Sequence, residues 1–177
     1  MEFSLKSLLS LREDFSNSNS CFLAKSEIKS ENVPTAKSVK RGIYELNYKK
    51  LIHICPEISE QRETSFYVQI ECKPYMNLNI DYDSNAGIII LSHYYIQNSD
   101  VMDDPCMYLK VNFENQTLEA LSFQQSNPFV YSEVYTNGEN GEKLVNLSIK
   151  RKLNKFLEQW LKNLKSQGFS DGKRNFR

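Results

Sequence analysis

The sequence predicts an α+β domain: an antiparallel sheet of about five or six strands, covered on one face by an N-terminal helix and a long C-terminal helix. Three observations carry this. Between residues 65 and 135, stretches of alternating apolar and polar residues follow one another, the period of half-buried strands. The links between them are short and rich in turn residues, too short for crossover helices, so neighbouring strands run antiparallel. Helical spacing flanks them, in "YELNYKKLIHICPEI" before and in "SIKRKLNKFLEQWLKNLKSQG" after.

Taken in order, residues 1–13 can form a short amphipathic helix through Leu5, Leu8, Leu9 and Leu11. Residues 14–41 are rich in Ser, Asn and Lys without period and read as a flexible tether, so 1–41 is an N-terminal arm. The compact domain is expected over 42–168. Its first helix carries Leu46, Leu51, Ile52, Ile54 and Cys55 and ends before Pro56. "SFYVQIEC" places Phe66, Val68 and Ile70 on one face, and "PYMNLNIDY" does the same with Met76, Leu78 and Ile80. "DSNAG" is a hairpin turn. "GIIILSHYYI" is uniformly apolar and suits a central strand. "QNSDVMDDP" reads as a polar loop. "MYLKVNF" and "TLEALSF" flank "ENQ" as a second hairpin, "FVYSEVYT" adds an edge strand, and "NGENGEK" is a loop. The closing helix has Ser148 as its expected N-cap and Gly168 as its stop, and 169–177 is a basic tail.

At 177 residues, 40% hydrophobic and 12% aromatic, the chain can bury a core, which excludes a wholly disordered protein. No apolar run spans a membrane and the N-terminus lacks the pattern of a secretory signal, so a cytoplasmic protein with reduced thiols at Cys21, Cys55, Cys72 and Cys106 is expected. The Asn-x-Ser/Thr matches at Asn115 and Asn146 are read as coincidence. Net charge is zero but segregated: residues 1–50 carry +3, residues 51–145 carry −10 and residues 146–177 carry +7. A charge dipole of this kind can pair the chain with itself or steer a charged partner.

The basic groups of the last helix are Lys150, Arg151, Lys152, Lys155, Lys162 and Lys165, against one acid, Glu158. Cations at a helix N-terminus oppose the dipole, so this cluster answers to the acidic sheet or to a partner. Trp160 lies on the apolar stripe and reads as core. His53 and His93 are the two histidines. Neither they nor a Cys106–His93 pair has the spacing of a metal or nucleophilic site, and Asp100, Asp103 and Asp104 read as a solvated loop. No phosphate loop, GxGxxG, GxSxG or HExxH occurs, and no metal or cofactor is expected. Tyr94, Tyr95, Tyr108, Phe129, Tyr131 and Tyr135 lie in or near strands, where aromatics can stack bases. The acidity of residues 51–145 opposes that, so any nucleic acid would meet Lys150–Lys155, Lys173, Arg174 and Arg177.

Two segments resemble a known family. "ELNYKKLIHICP" matches Glu-x-Asn-aromatic-x-x-Leu-x-x-Leu/Ile-x-Pro through Glu45, Asn47, Tyr48 and Pro56. "KRKLNKFLEQWLKNLKSQG" matches Lys-x-x-Leu/Ile-Asn-x-Phe-Leu-x-x-Trp-Leu through Lys150, Asn154 and Trp160, and "ECKPY" at Glu71–Tyr75 matches a Glu-x-x-x-Tyr step between strands. Over residues 44–168 the chain is similar to the YqiB-like family, a proteobacterial domain of unknown function. That resemblance implies a bacterial cytosolic protein and supplies no activity. Where the family carries Asp-Glu before the helix lysine this chain has Ser148-Ile149, and where it carries Tyr-His-Asp-Ala this chain has Phe113–Gln116, without the histidine. Had those polar residues been catalytic in the family, this chain would be inactive.

The leading expectation is a non-enzymatic binding or adaptor protein acting through protein–protein contacts, as a homodimer or with another protein. The alternative is a small-ligand or nucleotide-linked protein, or divergent enzyme, with a pocket formed by Glu71, Tyr75, His93 and Glu114. A third is weak nucleic-acid binding by the basic helix.

Overall fold

A computed structural model describes residues 42–139 and 141–177. The helix expected over 1–13 and the tether over 14–41 lie outside the described residues. The described part opens with α1 (Gly42–Ile54) and a short helix α2 (Glu57–Glu60). The strands are β1 (Phe66–Glu71), β2 (Leu78–Asp83), β3 (Ile88–Gln97), β4 (Asp100–Asn112), β5 (Thr117–Gln125), β6 (Val130–Glu133), β7 (Tyr135–Asn137) and β8 (Lys143–Val145). Then come α3 (Leu147–Ser166), a 3₁₀ turn at Phe169–Asp171 and β9 (Lys173–Phe176).

Seven strands form one antiparallel sheet in the order β6-β5-β4-β3-β2-β1-β9, and β7 and β8 make a separate hairpin. The α+β class stands, with more strands than expected. The extra main-sheet strand is β9: residues 173–176 are not a free tail but pair with β1, from Val68 opposite Phe176 to Glu71 opposite Lys173. "QNSDVMDDP" is not a loop either. It continues β3 and β4 around a two-residue turn at Asn98 and Ser99, both at positive φ (53° and 70°), a geometry asparagine tolerates and that suits hairpin twist. "FVYSEVYT" splits at Val134 into β6 and β7.

The register turns alternation into two faces. Val68, Ile80, Leu91, Met107 and Phe123 lie opposite one another across five strands, and all are buried. The row of Tyr82, Ile89, Leu109 and Ala120 is buried beside it. The helices cover this face: α3 presents Leu153, Phe156, Leu157, Trp160, Leu161 and Leu164, and α1 presents Tyr48, Leu51 and Ile54. Phe156 meets Phe123 edge-on at 5.1 Å, and Trp160 lies 5.6 Å from the His93 ring.

α3 starts two residues earlier than its Ser148 signal. Asn146 is the N-cap, its Oδ1 accepting from the Ile149 N–H at 3.0 Å, while Ser148 is exposed. Asparagine caps as well as serine does, and here the fold chooses between them. A bulge in β5 places Leu121 outside the ladder, its carbonyl accepts from Val134 N–H, and the Val134 carbonyl accepts from Asn146 N–H, which fixes the start of the helix against the sheet. Gly168 ends it as expected, at φ +86°.

Candidate functional site

The sheet face that no described helix covers is built from the alternate residues. One row runs Asn175, Gln69, Asn79, Ser92, Cys106, Gln124 and Tyr131 across all seven strands. Next to it run Tyr67, Asp81, Ile90, Tyr108, Ser122 and Glu133, and then Asp83, Ile88 and Lys110. Side chains bond along it: Tyr67 Oη donates to Asn79 Oδ1 at 2.7 Å, and Gln69 Nε2 donates to the same oxygen at 3.0 Å and to Tyr94 Oη at 3.2 Å. Farther along, Asp81, Asp83, Ala86, Ile88, Ile90 and Tyr108 line a shallow depression of about 420 Å³. Asp83 Oδ1 is committed to the turn, accepting from the N–H groups of Asn85 and Ala86, and the Lys110 amine donates to the Ala86 carbonyl. Asp81 has no hydrogen-bond or ion-pair partner among the described residues and is exposed. No sequence motif marked this surface; its signal was the polar phase of β2 beside the apolar one of β3.

The second surface is the outside of α3. Arg151, Lys152, Lys155, Lys162 and Lys165 are exposed and have no ion-pair partner among the described residues. Arg151, Lys155, Glu158, Lys162 and Lys165 recur at helical spacing and form one stripe. Its acid is neutralised from α1: Lys50 Nζ lies 2.6 Å from Glu158 Oε1.

Lys150 does not belong to that stripe. Its amine lies 2.8 Å from Glu119 Oε1 and donates to Tyr135 Oη at 3.0 Å, and Tyr135 Oη donates to Glu119 at 2.7 Å. Burial works to lower the Lys150 pKa, but the hydrogen bonds and charges of Glu119 and Tyr135 outweigh it and hold the pKa raised, so the amine stays charged. The unfavourable first-turn lysine thus answers to the sheet. Arg174, expected beside Lys173 and Arg177 as a nucleic-acid contact, is also turned inward. Its guanidinium donates to the carbonyls of Gly172, Ile54 and Ser170 and lies 2.9 Å from Glu57 Oε1.

The four residues expected to form a pocket do not converge. His93 is buried between Trp160 and Phe169, and Tyr75 packs on the same Phe169 at 6.3 Å. Glu71 accepts from Asn175 Nδ2. Glu114 sits exposed in the turn after β4, beyond the Ile88 end of β3. Ile88 and His93 alone are about 17 Å apart along the strand. Cys106 faces the open side, opposite Ser92, while His93 faces the core, so no thiol–imidazole pair forms. Burial and nearby Asp103 push the Cys106 thiol up to about 11. Asp103 and Asp104 are consecutive strand residues that leave on opposite faces, and among the described residues no group of His, Cys, Asp and Glu could hold a metal ion.

A carbonyl only accepts, so His93 Nδ1, 2.9 Å from the Asn77 carbonyl, carries the proton. Burial lowers the His93 pKa, offset in part by that bond and by Asp104. The folded state therefore holds the ring neutral, while the unfolded chain binds a proton below about its ordinary 6.5. This part of the stability is complete above that pH and falls as pH drops toward the lower folded-state value. Urea unfolding between about pH 7.5 and 5.5 is expected to show a decline in midpoint that His93→Gln reduces; an equal decline in the variant would assign it to other groups.

The residues carrying the family pattern hold the layers together. Asn47 Nδ2 donates to the Asn154 carbonyl at 3.2 Å, joining α1 to α3, and Asn154 Oδ1 accepts from the Ala120 N–H beside the β5 bulge at 3.1 Å. Tyr48 meets Phe113 edge-on, Pro56 follows the end of α1, and Glu45 is half-buried. Asn154→Ala leaves a buried N–H without its acceptor and is expected to cost about 2 kcal/mol; an unchanged urea midpoint would refute this role.

Fold and site together define an α+β sheet module with a mixed polar and aromatic sheet face that no described helix covers and a basic helix on the other side. A family model described as a domain of unknown function (DUF6908) matches residues 47–170, and the chain belongs to that family. That match contains nothing that links the chain to the YqiB-like family, whose motifs it resembles over a similar span. The chain matches no curated protein and no solved structure. Among the described residues no helix is long and apolar enough to cross a membrane.

Proposed function

We propose that this domain is a non-enzymatic protein-binding module that docks an acidic partner surface on the α3 stripe, in the bacterial cytoplasm. One observation carries the reading: Arg151, Lys152, Lys155, Lys162 and Lys165 stand exposed without ion-pair partners among the described residues, while the stripe's acid is taken up by Lys50. Desolvating several unpaired cations is favourable only against matching anions, so such a surface gives selectivity and fast association more than raw affinity. Against the small-ligand reading at Glu71, Tyr75, His93 and Glu114 stands the placement of Glu114 beyond the Ile88 end of β3, far from His93. The nucleic-acid reading loses Lys150 and Arg174 to internal contacts.

The test compares the tagged full chain with a K155E/K162E/K165E variant in capture from native lysate at low and high salt. A stoichiometric protein partner retained at low salt, released at high salt and missing from the variant is expected. A partner retained equally by the variant, or an eluate holding only nucleic acid, would overturn the reading.

A further inference from the structure

We propose that the acidic counter-surface for the α3 stripe is the open sheet face of a second copy of this chain. A basic side chain from one molecule would lie in the Asp81–Asp83 depression of the next. The inference rests on the reading of α3 as a docking surface and names its partner.

The depression has the form a lysine or arginine side chain requires. Ile88 and Ile90 give an apolar floor for the alkyl stem, Tyr108 gives an aromatic ring, and Asp81 and Asp83 give the anionic end. Lys110, the basic group in register with Ile88, is already tied to the Ala86 carbonyl and leaves Asp81 unpaired. Spacing agrees as well. Asp81 and Asp83 are two residues apart on a strand, about 6.6 Å. Arg151 and Lys155 are one turn apart on α3, about 6 Å. Each pair is self-repelling within its own surface, and each is the complement of the other.

Charge balance points to the same partner. Among the described residues, unpaired cations of α3 stand on the helix side and unpaired Asp81 stands on the sheet side. Contact between the helix side of one copy and the sheet side of another brings the two together. The two surfaces differ, so the contact is heterologous: a pair keeps one donor surface free on one molecule and one acceptor surface free on the other, and association continues beyond a pair unless the rotation closes a ring.

Sedimentation velocity on the full chain tests this. The wild type is expected to form species larger than a monomer at low salt, growing with concentration and lost at high salt. D81N/D83N and K155E/K162E are each expected to be monomeric when alone, with unchanged circular dichroism. Mixed together, they are expected to form one discrete 1:1 pair, since each supplies the surface the other lacks. A wild type that is monomeric at low salt would overturn the inference. So would a mixture that sediments as its separate components. In either case an α3-dependent partner recovered from lysate would still support the docking role of α3, so the two readings fail separately.

Discussion

Trp160→Ala is expected to destabilise the domain by about 3–5 kcal/mol, among the largest effects of any single truncation here. The indole is 2% exposed. It lies where three groups meet: 5.6 Å from the His93 ring and 6.2 Å from the Phe156 ring, with His93 passing the contact on to Phe169 at 5.8 Å. These come from β3, from α3 itself and from the turn that follows α3. Removing the indole forfeits its transfer free energy and opens a cavity that rigid strands on one side and a fixed helix on the other cannot close. Trp160→Phe should retain more than half of the loss. Urea midpoints for both variants measure this, and a Trp160→Ala midpoint within error of the wild type would show that the layers are not joined there.

The second large effect is expected at Arg174. Its guanidinium joins four chain segments: Ile54 at the end of α1, Glu57 in α2, Ser170 in the 3₁₀ turn and Gly172 at the start of β9. Side-chain exposures of 21% for Arg174 and 15% for Glu57 place the pair at the edge of the buried regime. Arg174→Ala leaves the Glu57 carboxylate without its cation and three carbonyls without their donor. The expected cost is about 3 kcal/mol, the low end for breaking a buried pair because some solvent reaches it. Replacing both partners, as Glu57→Gln with Arg174→Met, should recover part of it, since no uncompensated charge remains. Hydrogen exchange gives the local signature. Amides of β9 should exchange faster in Arg174→Ala while those of β3 and β4 follow global stability. Equal protection of β9 in both proteins would refute the anchoring role. Space is tight here as well: a Cβ on Gly172 would come within 2.5 Å of Ile70 Cγ2 and 2.9 Å of the Glu71 carbonyl, so β9 fits against β1 only with glycine at that corner.

The family-matching residues gain a physical reading from this geometry. Lys150, Asn47, Asn154 and Trp160 lie between layers and bond or pack across them. In this structure they fix how two helices sit on a bulged sheet. The Asp81–Tyr108 depression lies outside the quoted motifs, and on α3 Arg151, Lys152 and Lys155 fall at unconstrained positions of the pattern while Lys162 and Lys165 follow it.

The sequence by itself determined the class of fold, because both periods are local. Alternation in β1, β2, β4 and β5 and the apolar stripe of α3 are set by residues two to four positions apart, and the short turns between strands dictate antiparallel pairing. It also determined the stop at Gly168, where a left-handed residue is needed. Tertiary structure alone decided the rest. Lys150 looks the same as Lys155 along the chain, yet one reaches Glu119 and the other faces outward, because only one lies at the sheet edge. Residues 173–176 read as a basic tail until β1 offers an open edge and Arg174 finds the Ile54 carbonyl 120 positions away. Asn146 displaced Ser148 as the cap because a bulge in β5 fixed where α3 could begin. Each of these depends on a partner far along the chain, which no local period encodes.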